Sequence, residues 1–223
     1  MKTYFFLIAL FLLSSAPVFA QVKSIQLKGN KDLLPVNVNV TEESYLNKES
    51  LKVNAKAPGE TAFVKISNLN FSNGVIEVEL AGKRAEGSHP MNRGFVGIAF
   101  RINDDNSKFE CFYLRAANGR AEDQVQRNHT TQYMSYPDHN VEVLRKEYPE
   151  KYESYVDMVP GEWTKVKIEI NGEKAKLYVH GNSQPVLIVN DLKLGAAVQG
   201  SIGLWVGGGT DAHFTNLNVQ SLP

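Results

Sequence analysis

The sequence predicts an all-β protein built as an antiparallel two-sheet β-sandwich with one long loop insertion. Three observations lead to this prediction. Apolar residues alternate with polar or small residues at a period of two, turn-forming residues separate these runs, and helical periodicity is nearly absent. Short strands of this kind pack as two antiparallel layers around one shared core.

Seven runs carry the alternation and are predicted to be strands. In the first run, Ile76, Val78 and Leu80 form the apolar face. The other runs follow at 95–102, 109–115, 166–170, 175–179, 202–206 and 213–219. Asn103–Asn106 forms a turn between the second and third strands, and Asn171-Gly172 predicts a tight hairpin between the fourth and fifth.

The first twenty residues have the pattern of a cleaved secretory signal peptide. Lys2 precedes an apolar run from Tyr4 to Leu13, and Val18-Phe19-Ala20 supplies the small residues of a cleavage site. The run has about half of the roughly 20 residues that a membrane span requires. We therefore expect cleavage near Ala20, a secreted or periplasmic protein without membrane insertion, and a single sandwich domain over residues 21–223.

The composition excludes several classes of protein. A single cysteine cannot form an intramolecular disulfide, and 43% hydrophobic residues with 22% charged residues can bury a core. Lys2 leaves with the signal peptide, so the mature chain carries 23 basic and 24 acidic side chains. Without a net positive charge, nucleic acid is not an expected partner. The sequence does not determine the oligomeric state.

The predicted loop insertion spans about residues 117–160. It lacks a sustained β pattern and is far longer than the usual connection between strands, which is typical of functional loops. Val141–Tyr148 is predicted to form one or two helical turns that end at Pro149. The insertion also holds five of the nine tyrosines of the chain, namely Tyr133, Tyr136, Tyr148, Tyr152 and Tyr155.

The outward positions of the predicted strands fall into two types. On the hairpin at 163–180 they are mostly lysine and glutamate, which indicates a solvated sheet that needs no ligand. On the strands at 95–101, 109–115 and 202–206 they include aromatic residues, arginine and glycine. Sugars present hydroxyl edges and apolar C–H faces, so these residue types favour a carbohydrate site. The other interpretation is that the insertion packs over this sheet, so that these residues form a second small core.

The candidate site combines hydrogen-bonding side chains with aromatic rings. The substrate-binding candidates are Arg101, Tyr113, Arg115, Asn118, Gln126, Arg127, Tyr133, His139 and Trp205. The candidates for proton transfer are Asp123, His129 and Asp138. No cofactor and no metal site is predicted. The hypothesis requires Tyr113, Arg115 and Trp205 to border an accessible hollow beneath the insertion.

Several stretches resemble a known family. They are Gly74–Leu80, Gly94–Arg101, Trp163–Ile168, Leu177–Gly181 and Phe214–Val219. Over about residues 70–220 the chain resembles the concanavalin A-like, laminin-G-like domains of exported bacterial proteins, and most of all the 3-keto-disaccharide hydrolase group, which is family 16 glycoside hydrolase-like. The resemblance implies a jelly roll and a hydrolase that cleaves a glycoside or keto-disaccharide in a concave-sheet groove.

One departure from the family concerns catalysis. The Glu-x-Asp-x-x-Glu signature of family 16 glucanases is absent, because Glu77-Val78-Glu79-Leu80-Ala81 lacks both the aspartate and the final glutamate. Two alternatives to a hydrolase therefore stay open: a non-catalytic carbohydrate-binding module, and an adhesion or structural domain. The expected partner of the hydrolase or the module is an oligosaccharide or polysaccharide.

Overall fold

A computed structural model describes residues 21–59 and 61–222, so the predicted signal peptide at 1–20 lies outside the described residues. Within them the chain forms fifteen strands and two short α-helices. The strands are β1 (Val22–Ile25), β2 (Leu33–Val36), β3 (Val38–Tyr45), β4 (Lys48–Ala55), β5 (Phe63–Phe71), β6 (Asn73–Arg84), β7 (Phe95–Ile102), β8 (Phe109–Arg115), β9 (Thr131–Tyr136), β10 (Glu153–Ser154), β11 (Thr164–Asn171), β12 (Lys174–Val179), β13 (Leu187–Val189), β14 (Gly200–Val206) and β15 (Thr210–Leu222). The helices are α1 (Gln124–Asn128) and α2 (Val141–Glu147).

The strands form two antiparallel sheets. The eight-stranded sheet has the order β13-β12-β11-β6-β15-β4-β3, with β1 paired to β15. The seven-stranded sheet has the order β10-β9-β8-β7-β14-β5-β2. This arrangement confirms the predicted two-sheet β-sandwich.

The main core lies between the sheets and uses the predicted alternation. Ile76, Val78 and Leu80 of β6 are at most 3% exposed. A Cβ atom placed on Gly82 would lie 2.6 Å from Cγ1 of Val96, so the Val96 face of β7 packs against β6. Since neighbouring residues in a strand point to opposite faces, Gly97 belongs to the outer face of the seven-stranded sheet.

The insertion is more ordered than the sequence predicted. β9 pairs with β8 over six positions, and β10 extends this edge through the Glu153↔Gln132 pair. All residues from Thr131 to Ser135 are buried, including the polar Thr131, Gln132 and Ser135, so the sequence of β9 shows no alternation of apolar and polar residues. The predicted helix at Val141–Tyr148 is confirmed as α2, and the side chain of Asn140 caps its first turn.

His213 of β15 couples the stability of the fold to pH. The residue is 3% exposed, its Nε2 lies 2.9 Å from Oε1 of Glu43, and its ring stacks on Tyr45. Burial lowers the pKa of His213 below 6.5, and the nearby charge of Lys52 adds to this effect. Glu43 and Asp211 act in the opposite direction without cancelling it.

We expect this histidine to make the protein less stable in mild acid. Below about pH 6.5 the unfolded chain protonates the imidazole more readily than the folded chain does, so stability that is present above this pH is lost as the pH falls. Melting curves between about pH 7.5 and 5.5 should show a smaller loss for His213→Gln than for the wild type. The exposed His89 provides the control, since His89→Gln should keep the wild-type slope. Equal slopes for all three proteins would contradict the prediction.

Candidate functional site

The structure divides the predicted site residues among three places. Arg101 and Tyr133 lie between the sheets, whereas Asp138 and His139 lie in a turn that follows β9. The remaining candidates lie along the outer face of the seven-stranded sheet and around α1. They are Tyr113, Arg115, Asn118, Asp123, Gln126, Arg127, His129 and Trp205.

Arg101 links the two sheets and has no exposed surface. Its guanidinium donates to the carbonyl oxygens of Gly195 and Gly172 at 2.8 Å each, and to that of Ser72 at 3.1 Å. The backbone at Arg101 has a φ of 54°, which interrupts the regular pairing of β7 and turns the side chain toward the eight-stranded sheet. These contacts assign Arg101 a structural role, and its contact with sugar stays a prediction.

Tyr133 is also fully buried, beside Glu110. Its hydroxyl donates to Oε2 of Glu110 and accepts from the backbone N–H of Lys193 at 2.8 Å. The other oxygen of Glu110 accepts from the N–H of Leu194 at 2.8 Å. Burial raises the pKa of Glu110, and burial together with the nearby carboxylate raises the pKa of Tyr133. The pair fixes the segment after β13 to the seven-stranded sheet.

The three candidates for proton transfer do not lie together. Asp138 and His139 belong to a turn in which the backbones of Ser135 and His139 exchange two hydrogen bonds. His129 precedes β9, so the length of this strand, roughly 20 Å, separates it from Asp138. Asp123 caps α1, where its Oδ1 accepts from the N–H of Gln126 at 2.8 Å. His129 and Asp138 are therefore too far apart to act on the same bond.

Arg115 is the centre of a buried polar network that we call the arginine–glutamate cluster, formed by Arg115, Arg145 and Glu153 with Tyr113, Gln132 and His129. One nitrogen of Arg115 donates to the carbonyl oxygen of His129 at 2.8 Å and to Oε1 of Glu153 at 3.2 Å. The other donates to the hydroxyl of Tyr113 at 3.0 Å and to Oε1 of Gln132 at 2.9 Å. Burial raises the pKa of Tyr113 to about 12.

Glu153 supplies the negative charge of the cluster. Arg145 of α2 donates to both of its oxygens, so two guanidinium groups share one carboxylate. Nε2 of His129 lies 3.6 Å from Oε2 of Glu153, and burial lowers the pKa of this histidine. With His129 neutral, the three charged groups carry a net charge of +1.

A cavity of about 250 Å³ opens beside the cluster, and we call it the rim cavity. Its lining residues are Val125, Asn128, His129, Glu150, Glu153, Ser154 and Tyr155. Val125 and Tyr155 are 62% and 41% exposed, so an apolar side chain and an aromatic ring face the solvent here. Arg127 donates to the hydroxyl of Tyr155 at 2.9 Å and its guanidinium lies 5.0 Å from the ring centre, which holds the ring in place.

Tyr113 and Trp205 form a ring pair on the outer face of the seven-stranded sheet, with their centroids 4.8 Å apart. In the 223-residue chain Tyr113, Arg115 and Trp205 are only 5%, 6% and 4% exposed. None of the three lines a cavity formed by residues 21–59 and 61–222, and the accessible space beside the cluster begins at the rim cavity. Their direct contact with a sugar stays a prediction.

Asn118 is buried next to the cluster, where its amide donates to the carbonyl oxygen of His129 at 3.2 Å. Its Oδ1 is buried and has no hydrogen-bond partner among the described residues. A buried acceptor without a donor is costly, so this oxygen is suited to accept from a bound hydroxyl or water.

Sequence reasoning missed Glu153, Arg145 and Gln132. Each is a single charged or polar residue in a segment without recognisable periodicity, and 38 residues separate Arg115 from Glu153. A signal was nevertheless present, because Arg115 ends an apolar strand and a buried arginine requires a counter-charge. The sequence offered several glutamates for this role and no means of choosing among them.

Comparison with known proteins supports the fold. No protein-family model matches the chain, and no curated protein matches it. Among solved structures, the carbohydrate-binding module CBM66 from Bacillus subtilis matches with a TM-score of 0.58 and 16% identity over 85% of this chain and 96% of that one. A Bacillus subtilis protein of unknown function with a galectin-like fold matches with a TM-score of 0.52 and 13% identity over 86% and 90% of the two chains.

A sialidase also matches, with a TM-score of 0.50 and 13% identity over 83% of this chain but only 17% of the sialidase. At these identities the matches establish a galectin-like, concanavalin A-like β-sandwich. The finer resemblance to the 3-keto-disaccharide hydrolase group stays a prediction.

Across residues 21–59 and 61–222, no helix has the length and hydrophobicity needed to cross a bilayer. Over the same ranges, no three His, Cys, Asp or Glu side chains are grouped so that they could hold a metal ion.

Proposed function

We propose that the protein is an exported carbohydrate-binding protein that holds a glycan at the rim cavity without cleaving it. The observation that carries this proposal is the position of the half-exposed Tyr155 ring beside the hydrogen-bonding side chains of Asn128, His129 and Glu150. An aromatic ring can pack against the C–H face of a sugar while neighbouring polar groups bind its hydroxyls. The fold likeness to a carbohydrate-binding module supports the same class of ligand.

The size of the cavity limits what it can hold. Its volume of about 250 Å³ is below the roughly 300–1,000 Å³ of sites that enclose drug-sized ligands. One end of a glycan, or one or two sugar units of a longer chain, fits this space better than an extended polymer. The arginine–glutamate cluster forms a fixed wall, because Arg115 is held by four partners and Glu153 by two guanidinium groups.

The carboxylates at the cavity favour binding over hydrolysis. A glycosidase needs one carboxyl group that can protonate the leaving oxygen and a second that acts as nucleophile or base. Both oxygens of Glu153 are occupied by the guanidinium groups of Arg115 and Arg145. Among the described lining residues only Glu150 provides another carboxylate. The cavity therefore lacks two carboxyl groups that are free to react.

We expect Tyr155→Ala to weaken glycan binding about tenfold or more, because stacking against a sugar face is lost. Isothermal titration of the purified protein with a panel of oligosaccharides measures this change. The exposed Lys146 of α2 does not line the cavity, so Lys146→Ala is the matched control and should keep wild-type affinity. Equal affinities for both variants would contradict the proposed site.

Product analysis separates binding from catalysis. We expect prolonged incubation of the same oligosaccharides with the protein to leave them intact on chromatography. Cleavage that is lost in Glu150→Gln would instead support the hydrolase implied by the family resemblance. The absence of both binding and cleavage across the panel would favour an adhesion or structural domain.

A further inference from the structure

A second groove lies on the outer face of the eight-stranded sheet, which the sequence predicted to be a solvated surface without a ligand. It has a volume of about 450 Å³ and crosses β12, β11, β6 and β15. Its lining side chains include Glu77, Glu79, Lys165, Tyr178, Asn182 and Asn218. Glu77 and Glu79 stand on β6, which is a central strand between β11 and β15, so this groove does not lie at a sheet edge.

A β-bulge in β15 shapes one wall of the groove. The pairing of β15 with β6 shifts between Thr215 and Asn218, and Asn216 has a φ of 53°. Asn216 then donates to Oε1 of Glu79 at 3.2 Å, and Asn218 stands opposite Glu77. Bulges redirect side chains and are frequent next to functional sites. Here the bulge places the amide side chains of Asn216 and Asn218 beside the carboxylates of β6.

Some polar side chains in and beside the groove already have hydrogen-bond or ion-pair partners within the protein. Glu79 pairs with Lys48, and Lys167 and Tyr178 both bind Glu169, at 2.8 and 2.7 Å. The ammonium of Lys167 lies 4.0 Å from the centre of the Tyr178 ring. These contacts fix the floor of the groove.

Other groups in the groove have no such contacts. Among the described residues, no hydrogen bond or ion pair involves the side chains of Glu77, Lys165, Asn182 or Ser183, although Lys167 stands directly opposite Glu77 in the register. Glu77 can only accept hydrogen bonds and Lys165 can only donate them, whereas Asn182 and Ser183 can do both. The unpaired charges are therefore one negative and one positive, and they cancel.

We infer that this groove is a second binding site, for a neutral glycan. A row of donors and acceptors without net charge matches sugar hydroxyls, each of which donates and accepts. A uronate or sulfated chain would need an excess of cations, which the groove does not have. The groove shares no lining residue with the rim cavity and belongs to the other sheet, so one molecule can hold two glycan segments.

Two-dimensional NMR of the isotope-labelled protein tests this site directly. The probes are neutral gluco-, manno-, galacto- and fructo-oligosaccharides, with oligogalacturonate as the charged comparison. We expect at least one neutral probe to shift the amide signals of Asn182, Ser183 and Asn218, and oligogalacturonate to leave them in place. Asn182→Ala and Glu77→Gln should each weaken this response about tenfold, through the loss of hydrogen bonds to the ligand.

A matched control variant tests whether the response is specific to the groove. Gln184 is exposed on the same loop as Asn182 but does not line the groove, so Gln184→Ala should keep the wild-type response. If no neutral probe shifts the groove signals, or if only oligogalacturonate does, the inference is overturned. The signals of Asn128, Ser154 and Tyr155 report separately on the rim cavity, so failure of the groove and failure of the proposed function can be distinguished.

Discussion

Replacing Glu153 with glutamine is expected to destabilise the protein by about 3 kcal/mol. The side chain of Glu153 is 4% exposed, and among the described residues it is the only carboxylate that Arg115 and Arg145 contact. The substitution leaves two guanidinium groups next to each other without their counter-charge. Breaking a buried ion pair in this way costs roughly 3–5 kcal/mol. We expect the lower end because the side chain of Arg145 is 42% exposed and can turn toward water.

Urea denaturation of the wild type and the variant measures this difference. Asp157 offers a matched control, because it pairs with Arg120 through two bonds of 2.8 Å but both side chains are more than half exposed. Asp157→Asn should therefore cost far less stability than Glu153→Gln, because an exposed ion pair contributes little. Similar losses for the two variants would show that the arginine–glutamate cluster does not stabilise the fold as a buried network.

The sequence predicted strands with one polar face, such as β11 and β12, and also β7, β8 and β14, which are buried on both faces. β11 and β12 alternate between buried isoleucine or leucine and exposed lysine or glutamate, and their hairpin lies where the alternation and Asn171-Gly172 predict it. β9 was missed because its buried residues include the polar Thr131, Gln132 and Ser135, so Thr131–Tyr136 shows no regular alternation. Strands β1 to β5 were not predicted, and in β2 and β3, at or near the sheet edges, only Val38 is buried.

The candidate site was harder to predict, because it depends on pairs that only the fold brings together. The prediction singled out Arg115, His129 and the tyrosine-rich insertion, and these lie at or near the rim cavity. It could not assign the partners, since Glu153 reaches Arg115 only because β10 pairs with β9.

Glycines beside aromatic residues were interpreted as shaping a ligand surface. The structure gives a steric reason for Gly97 instead, since a Cβ atom there would lie 2.2 Å from the carbonyl oxygen of Phe112. The close approach of β7 and β8 therefore requires glycine at this position.

The second large loss of stability is expected for Arg101→Ala, which should lower the free energy of unfolding by about 3–5 kcal/mol. The substitution leaves the carbonyl oxygens of Ser72, Gly172 and Gly195 without the buried guanidinium that donates to them. Each unsatisfied buried group costs roughly 1–3 kcal/mol, and the lost side chain leaves a cavity between the sheets.

Thermal and urea unfolding of Arg101→Ala measure this effect, with Arg93→Ala as the control. Within the described part of the chain, the guanidinium of Arg93 bonds weakly to the carbonyl oxygen of Pro90 at 3.4 Å and the sulfur of Met91 at 3.8 Å and to no other group. Its removal should therefore change stability by less than about 1 kcal/mol. Because Arg101 has no exposed surface, any loss of glycan binding should follow the loss of folded protein. A stable Arg101→Ala protein with weakened glycan binding would instead support the predicted role of Arg101 as a sugar ligand, and would show that the sheets separate enough to admit one.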